Sequence, residues 1–178
     1  MTTTFFMEGC VSNNEEAIKY FDALYFPVQD LVELDNQFQE SMQNLTIADD
    51  QIKDADDTIV DEEEYSRSIQ KTEAAYHALY DYVVEKSTSL RDIPVYNNEN
   101  ALQRAALQLF SVYENVADNE YRQMIELLKK ETPADEDNAR FNQLLKESGD
   151  KLEHALQNFY DTAFAYGEQY NIDVEFDD

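Results

Sequence analysis

Residues 13–45 read NNEEAIKYFDALYFPVQDLVELDNQFQESMQNL, and the spacing of their apolar side chains decides the fold. The core-facing positions alternate in steps of four and three residues: Ala17, Phe21, Leu24, Val28, Leu31, Asp35, Phe38, Met42 and Leu45. This heptad seam is held for about four heptads and is interrupted only by Asp35. It predicts one long helix that packs against partners along a single face.

Two features of this segment indicate where the helix begins and where it bends. Residues 13–16 supply asparagine capping side chains followed by two glutamates, which suit the positive N-terminus of a helix. Pro27 lies inside the run and has no amide to donate, so we expect a kink near Ala23.

Three further runs keep the same four–three step. The second comprises Tyr65, Ile69, Thr72, Tyr76, Leu79, Val83, Lys86 and Leu90. The third comprises Leu102, Ala106, Leu109, Tyr113, Val116, Glu120 and Leu127. The fourth comprises Phe141, Leu145, Ser148, Leu152, Ala155, Phe159, Thr162 and Tyr166. Each run predicts another long amphipathic helix.

The breaks between these runs contain residues that start or stop helices. Pro94 disfavours helix at the residue before it, and Asn98 is a candidate cap for the third helix. Thr132 at a cap, Pro133 at the first helical position and Asp135 close behind predict the start of the fourth helix. Asn171 is a plausible stop.

The four predicted helices are joined by short connections, apart from a first connection of about fifteen residues. Short connections favour antiparallel neighbours, so we expect an all-α, antiparallel up-down-up-down four-helix bundle with long helices. The bundle should span residues 13–172. Residues 1–12 should precede it as the tail of a lipoprotein signal and a polar tether, and residues 173–178 should follow as an acidic tail.

The charge limits the classes of partner. Thirty-nine Asp and Glu face thirteen Lys and Arg, for a formal net charge of −26. A surface of this kind argues against nucleic acid as a partner, because phosphate binding needs clustered cations. Cationic partners, an unknown protein or a small ligand remain open. The sequence contains no run of about eighteen apolar residues, so it predicts no transmembrane helix.

Motifs for catalysis and for metals are missing from the sequence. Neither His77 nor His154 has a glutamate three residues before it, so the Glu-x-x-His pattern of di-metal bundles does not occur. The acidic stretch 48–57 lacks the glycine of a calcium loop, and no glycine-rich phosphate loop or nucleophile motif is present. We therefore expect no metal, no cofactor and no enzyme activity.

Two carboxylates fall on the apolar stripes and are candidates for a polar pocket. Asp35 lies on the first stripe and Glu120 on the third, with Tyr113 and Tyr121 nearby in the chain. One interpretation is a pocket for a cation or small ligand. The other is that each carboxylate lies at the edge of its stripe or is hydrogen-bonded to a tyrosine hydroxyl.

The single cysteine stands at the end of residues 5–10, FFMEGC. Bacterial lipoprotein signals end in a short apolar segment, a small residue and the cysteine that receives lipid, and this stretch follows that order except at Glu8. Residues 1–10 are too short for a complete signal, so we expect Met1 not to be the natural start. The candidate lipid-attachment residue is Cys10. The alternative is a free thiol on a frayed end.

Several segments after Cys10 carry a family resemblance: EAIKYFDAL, ALQLFSVYENVADNEYRQMIELL, TPADEDNARFNQLL and LQNFYDTAFAYGEQYNIDVEF. Their order resembles a leptospiral-type surface lipoprotein family, common in Bacteroidetes, of small helical-bundle proteins without assigned activity. The resemblance implies export, a lipid on Cys10 and a bundle in the cell envelope, at the outer-membrane surface or in the periplasm. It also suggests O-glycosylation at Thr58, in the Asp-Thr-Ile sequence of the first connection.

Two main hypotheses for function follow, and a third is weaker. The first is a lipid-anchored envelope protein with a binding or structural role. The alternative is a cytoplasmic acidic mimic of DNA that sequesters a DNA-binding protein. Spread over a bundle of about 48 Å, 26 net charges give one per about 1.8 Å, against about 1.7 Å for duplex DNA. The third is an enzyme or metal carrier using Asp35, Glu120 and His77.

Overall fold

The computed structural model describes residues 9–54, 62–130 and 134–174, and almost all of them are helical. Helices α1 (Gly9–Asp54) and α2 (Glu62–Arg91) form the first pair. Helix α3 (Ala101–Val116), a π-helical turn (Ala117–Tyr121) and α4 (Arg122–Leu128) make one continuous third rod. Helix α5 (Asp135–Tyr170) is the fourth. The predicted all-α four-helix bundle is confirmed.

Helices α1 and α2 contact each other in opposite directions along the chain. The Tyr82 hydroxyl lies 3.1 Å from the Pro27 carbonyl oxygen, whereas the Thr72 hydroxyl, earlier in α2, lies 3.3 Å from the later Ser41 carbonyl. Helix α1 is continuous through Pro27.

The remaining neighbours run in opposite directions as well. Gln103 at the start of α3 donates to the Leu90 carbonyl at the end of α2 (2.8 Å). Between the third rod and α5, Arg140 early in α5 donates to Gln123 late in the third rod (3.0 Å). Tyr166 late in α5 donates to the carbonyl of Ala17 (3.4 Å), which closes the ring of helices. These contacts are compatible with the predicted up-down-up-down order.

The core follows the predicted stripes closely. On α1 every predicted stripe position is buried, including Asp35. On α5 the stripe is confirmed from Ser148 to Phe159, but its start is wrong, because Leu144 is buried and Leu145 is exposed. A helix turns once per 3.6 residues, so counting back from Ser148 by one turn places Leu144 as close to the core direction as Leu145.

The π-helical turn changes the face that the third rod presents to the core. The four–three step predicts burial of Glu120 and then Leu127. In the structure Glu120 and Tyr121 are both buried, and Leu127 is only half-buried. A π turn holds one more residue than an α turn and rotates the helix beyond it. Met124 and Ile125 therefore carry the apolar stripe of α4.

Some predicted helix boundaries need correction. Helix α1 begins at Gly9, so residues 9–12, predicted as part of a tether, are helical and Asn13 does not cap the helix. Helix α3 begins at Ala101, and Asn98 is not its cap; it adopts a left-handed conformation (φ 60°) in the preceding turn. That turn contains an isolated bridge between Tyr96 and Glu99, and no strand occurs within the described ranges.

Helix α5 begins at Asp135, later than predicted, with Ala134 at the cap position. The Ala134 amide donates to Oδ2 of Asp137 (3.0 Å), which satisfies one free donor of the helix end. The predicted cap, Thr132, lies outside the described residues. The predicted stop at Asn171 is confirmed by its left-handed conformation (φ 54°).

Candidate functional site

Asp35 brings a carboxylate from α1 into the centre of the bundle. Tyr121, in the π turn, donates its hydroxyl to Oδ1 at 2.7 Å, and Tyr113, on α3, donates to Oδ2 at 3.3 Å. Both tyrosine rings are fully buried and Asp35 is 7% exposed. Asp35 is therefore a buried carboxylate that accepts hydrogen bonds from two tyrosine hydroxyls, which is the arrangement that the second interpretation describes.

Gln39, one helical turn beyond Asp35, completes this network. Its side-chain amide lies 3.2 Å from the Tyr121 hydroxyl oxygen and 3.4 Å from Oδ2 of Asp35. The carboxylate thus has three side chains placed to donate to it. Most buried polar groups in proteins are hydrogen-bonded in this way, because a buried group without a partner costs free energy.

Burial controls the protonation of the network. It raises the pKa of Asp35 above its usual range, and the hydrogen bonds from Tyr121, Gln39 and Tyr113 oppose that increase. Burial, followed by the charge of Asp35, raises the pKa of both Tyr113 and Tyr121 well above the usual range. The two hydroxyls therefore keep their protons and remain donors at any physiological pH.

Glu120 faces a different part of the bundle. Its Oε1 accepts a hydrogen bond from the Lys151 ammonium of α5 at 2.8 Å. Its Oε2 is buried and has no hydrogen-bond partner among the described residues. Among the described residues, Asp35 and Glu120 share no hydrogen-bond partner. Their convergence in one polar pocket therefore stays a prediction.

The remaining predicted site residues are dispersed. His77 and His154 are both exposed, and Glu73, one turn before His77, pairs with Lys129 instead. The described residues contain no group of three or more His, Cys, Asp and Glu side chains that could hold a metal ion. The convergence of Asp35, Glu120 and His77 required by the enzyme or metal-carrier hypothesis is not seen among these contacts.

Of the two candidate modification residues, Cys10 for a lipid and Thr58 for a glycan, only Cys10 is among the described residues. Cys10 is in the first turn of α1, seven positions before Ala17, the first buried residue described in that helix. Thr58 lies outside the described residues. Thr162, which follows Asp161 as Thr58 follows Asp57, is helical, and its hydroxyl donates to the Asn158 carbonyl (2.7 Å).

A ring of four tyrosines, not predicted from the sequence, packs at the end of the bundle where α1 begins. The ring centroids of Tyr20 and Tyr166 are 5.8 Å apart, those of Tyr166 and Tyr170 4.5 Å, those of Tyr170 and Tyr96 5.5 Å, and those of Tyr96 and Tyr20 6.2 Å. The sequence contains twelve tyrosines, and the spacing of Tyr166 and Tyr170 by one helical turn was the one local signal for this ring. Tyr20 and Tyr96 come from segments far from that pair in the sequence.

The acidic surface bears on the DNA-mimic hypothesis. Exposed carboxylates occur on every long helix, for example Glu33 on α1, Asp81 on α2 and Asp150 on α5. A mimic of duplex DNA needs its charges in two tracks that match the phosphate backbones. The placement of the described carboxylates around the bundle gives no support to that alternative, which stays a prediction.

Comparison of the chain with protein-family models, with curated proteins and with solved structures finds no match. None of the described helices contains a stretch that is both long and apolar enough to cross a membrane.

Proposed function

We propose that this protein is a lipid-anchored helical bundle of the bacterial cell envelope, attached through Cys10, with a binding or structural role and no catalysis. The observation that carries the proposal is the position of the single cysteine relative to the core. Cys10 lies in the first turn of the first helix, and the described core of that helix starts at Ala17.

This spacing separates the modified residue from the bundle. Seven residues of helix rise about 10 Å, and residues 14–16, just before Ala17, are all exposed. An acyl chain attached at Cys10 would therefore leave the described core undisturbed. The order of residues 5–10 supports the same assignment, since it follows that of a lipoprotein signal up to the cysteine apart from Glu8.

The charge of the protein is consistent with anchoring by lipid alone. A net charge of −26 repels the anionic headgroups of a membrane, so the surface of the bundle contributes no attraction. Stable attachment then requires more than one acyl chain, because a single chain binds membranes only marginally. A lipid carrying two or three chains at the N-terminal cysteine meets this requirement.

The test is the intact mass of the protein from the membrane fraction of its native host, expressed from the gene with its upstream codons. We expect a chain that begins at Cys10 and carries the added mass of a diacylglyceryl group. A Cys10→Ser variant should leave the membrane fraction and keep its upstream residues. An unmodified wild-type chain in the cytosol would refute the proposal and bring the DNA-mimic alternative forward.

A further inference from the structure

A cleft between α4 and the start of α5 has the opposite charge to the rest of the molecule. It has a volume of about 230 Å³ and is lined by Arg122, Gln123, Glu126, Leu127, Lys130 and Arg140. Three of these side chains are cationic and one is anionic, in a chain with three times as many acidic as basic residues. Its size suits a ligand smaller than a typical drug, whose pockets measure about 300–1,000 Å³.

Of the three cationic side chains that line the cleft, the two arginines are those available to pair with a ligand. Lys130 is neutralised by Asp137, whose carboxylate is 2.6 Å from its ammonium. Neither Arg122 nor Arg140 forms an ion pair with a carboxylate in the described segments. Two guanidinium groups without a carboxylate partner among the described residues therefore line the same small cleft.

Arg140 is also held in position. It is half-buried, and its Nη2 donates to the side-chain oxygen of Gln123 at 3.0 Å. This bond uses one of the five N–H donors of the guanidinium, and the planar fork suits two-point contact with a carboxylate or phosphate. Leu127, half-buried in the wall, offers an apolar contact for the remainder of a ligand.

We propose that this cleft binds a small anion through a carboxylate or phosphate group, with Arg122 and Arg140 as the binding residues. The anion site goes beyond the proposed anchor, and only the preference for a soluble anion over a lipid headgroup rests on that proposal. Charge-assisted hydrogen bonds from guanidinium to carboxylate or phosphate are about twice as strong as neutral ones. Glu126 is the only carboxylate among the described lining residues; it pairs with Lys129 at 3.3 Å, and its negative charge opposes the binding of an anion.

The location of the cleft favours a soluble anion over a lipid headgroup as the source of that group. The third rod meets α1 at Gln39 just before the cleft, where Gln39 contacts Tyr121 at 3.2 Å. From Cys10 to Gln39 the helix rises about 44 Å. If Cys10 is the anchor and the bundle stands away from the membrane surface, headgroups of that membrane lie far from the two arginines.

The experiment is an NMR titration of the unlipidated full chain with inorganic phosphate and, separately, with succinate, using sodium chloride at equal ionic strength as the reference. Arginine side-chain and amide resonances of Arg122 and Arg140 report on the cleft. The variants are Arg122→Gln, Arg140→Gln and Glu126→Gln. Arg104→Gln, an exposed arginine on α3 outside the cleft, is the matched control.

We expect saturable shifts confined to the cleft with at least one of the two anions. Either arginine variant should weaken binding about tenfold, Glu126→Gln should tighten it, and Arg104→Gln should leave it unchanged. Shifts that spread over the surface, or equal affinities in all variants, would overturn the proposal. So would binding of a glutamate-rich peptide or of phosphatidylglycerol vesicles without binding of either small anion.

Folding of each variant is checked by circular dichroism, and Arg140→Lys keeps the charge if Arg140→Gln fails to fold. Because the unlipidated chain is used, a negative result here leaves the anchor proposal standing. A failed lipidation test likewise leaves the anion site standing.

Discussion

The hydroxyl of Tyr121 lies 2.7 Å from Oδ1 of Asp35, so a residue of the π-helical turn meets a carboxylate on the first helix inside the core. The two residues are 86 positions apart in the chain. Tyr113, from the α-helical part of the same rod, reaches the other carboxylate oxygen at 3.3 Å. The π turn thus allows two tyrosines of one rod to donate to a single acid.

Tyr121→Phe should destabilise the protein more than Tyr113→Phe. Both changes remove a donor from a buried carboxylate, but the Tyr121 bond is the shorter by a wide margin. We expect the free energy of unfolding to fall by about 1–3 kcal/mol for Tyr121→Phe and by about 1 kcal/mol or less for Tyr113→Phe. Urea unfolding followed by circular dichroism measures both free energies. Equal losses would contradict the conclusion that Tyr121 makes the stronger hydrogen bond to Asp35.

The pH dependence of stability tests the protonation of Asp35. Burial raises the pKa of this carboxyl above its ordinary value of 3.8, so the folded chain binds the proton more tightly than the unfolded chain. The contribution of Asp35 to the free energy of unfolding is therefore complete below pH 3.8 and is lost as the pH rises through the folded pKa. Asp35→Asn removes this titration and keeps an oxygen that accepts from Tyr121.

The measured quantity is the free energy of unfolding of Asp35→Asn minus that of the wild type, between about pH 4 and pH 7. We expect the difference to rise with pH and then level off above the folded pKa. The many exposed carboxylates titrate in both proteins and cancel in the difference. A constant or falling difference would show that Asp35 is not protonated preferentially in the folded state.

Much of the bundle could be predicted from the sequence, because burial repeats with the helical period over many turns. The stripe on α1 was correct throughout, including the polar Asp35. The π turn could not be predicted, since no residue between Ala117 and Tyr121 marks it and its effect is a rotation of the following segment. Among the partners of Asp35, Tyr121 lies in the π turn, whereas Tyr113 lies before it and Gln39 is on α1. A hydrogen bond from a tyrosine hydroxyl to Asp35 was therefore predictable, but the position of Tyr121 was not.

The ion pair between Glu120 and Lys151 gives another prediction. Lys151→Met removes the partner of a buried carboxylate, whose other oxygen already has no partner among the described residues. The lysine side chain is 45% exposed, so solvent screens the pair, and we expect a loss of about 1 kcal/mol. In a Glu120→Gln background, Lys151→Met should lower the free energy of unfolding by much less.

Lys146→Met, at an exposed position on the same helix, is the control for the change of side chain. The three single variants and the double variant are compared by urea unfolding, as a double-mutant cycle. A coupling energy near zero would mean that the pair contributes nothing to stability.

Two glycines on α5 should respond to alanine in opposite directions. At Gly167 an added Cβ would lie 2.5 Å from Cγ2 of Val174 and 3.0 Å from the carbonyl oxygen of Ile172, because the chain folds back against the helix after Asn171. The backbone oxygen cannot move away as a side chain can. We expect Gly167→Ala to lower the free energy of unfolding by about 1–3 kcal/mol.

Gly149 is exposed in the middle of the same helix, and nothing lies within 4 Å of an added Cβ. Gly149→Ala should therefore raise the free energy of unfolding by about 0.5–1 kcal/mol, since glycine costs more conformational entropy in a helix than alanine. Thermal and urea unfolding of the two variants measure both effects. Val174→Ala should recover part of the loss caused by Gly167→Ala, because it removes the methyl group nearest to the added carbon. If Gly167→Ala were as stabilising as Gly149→Ala, the segment after Asn171 would not pack against α5 as the structure shows.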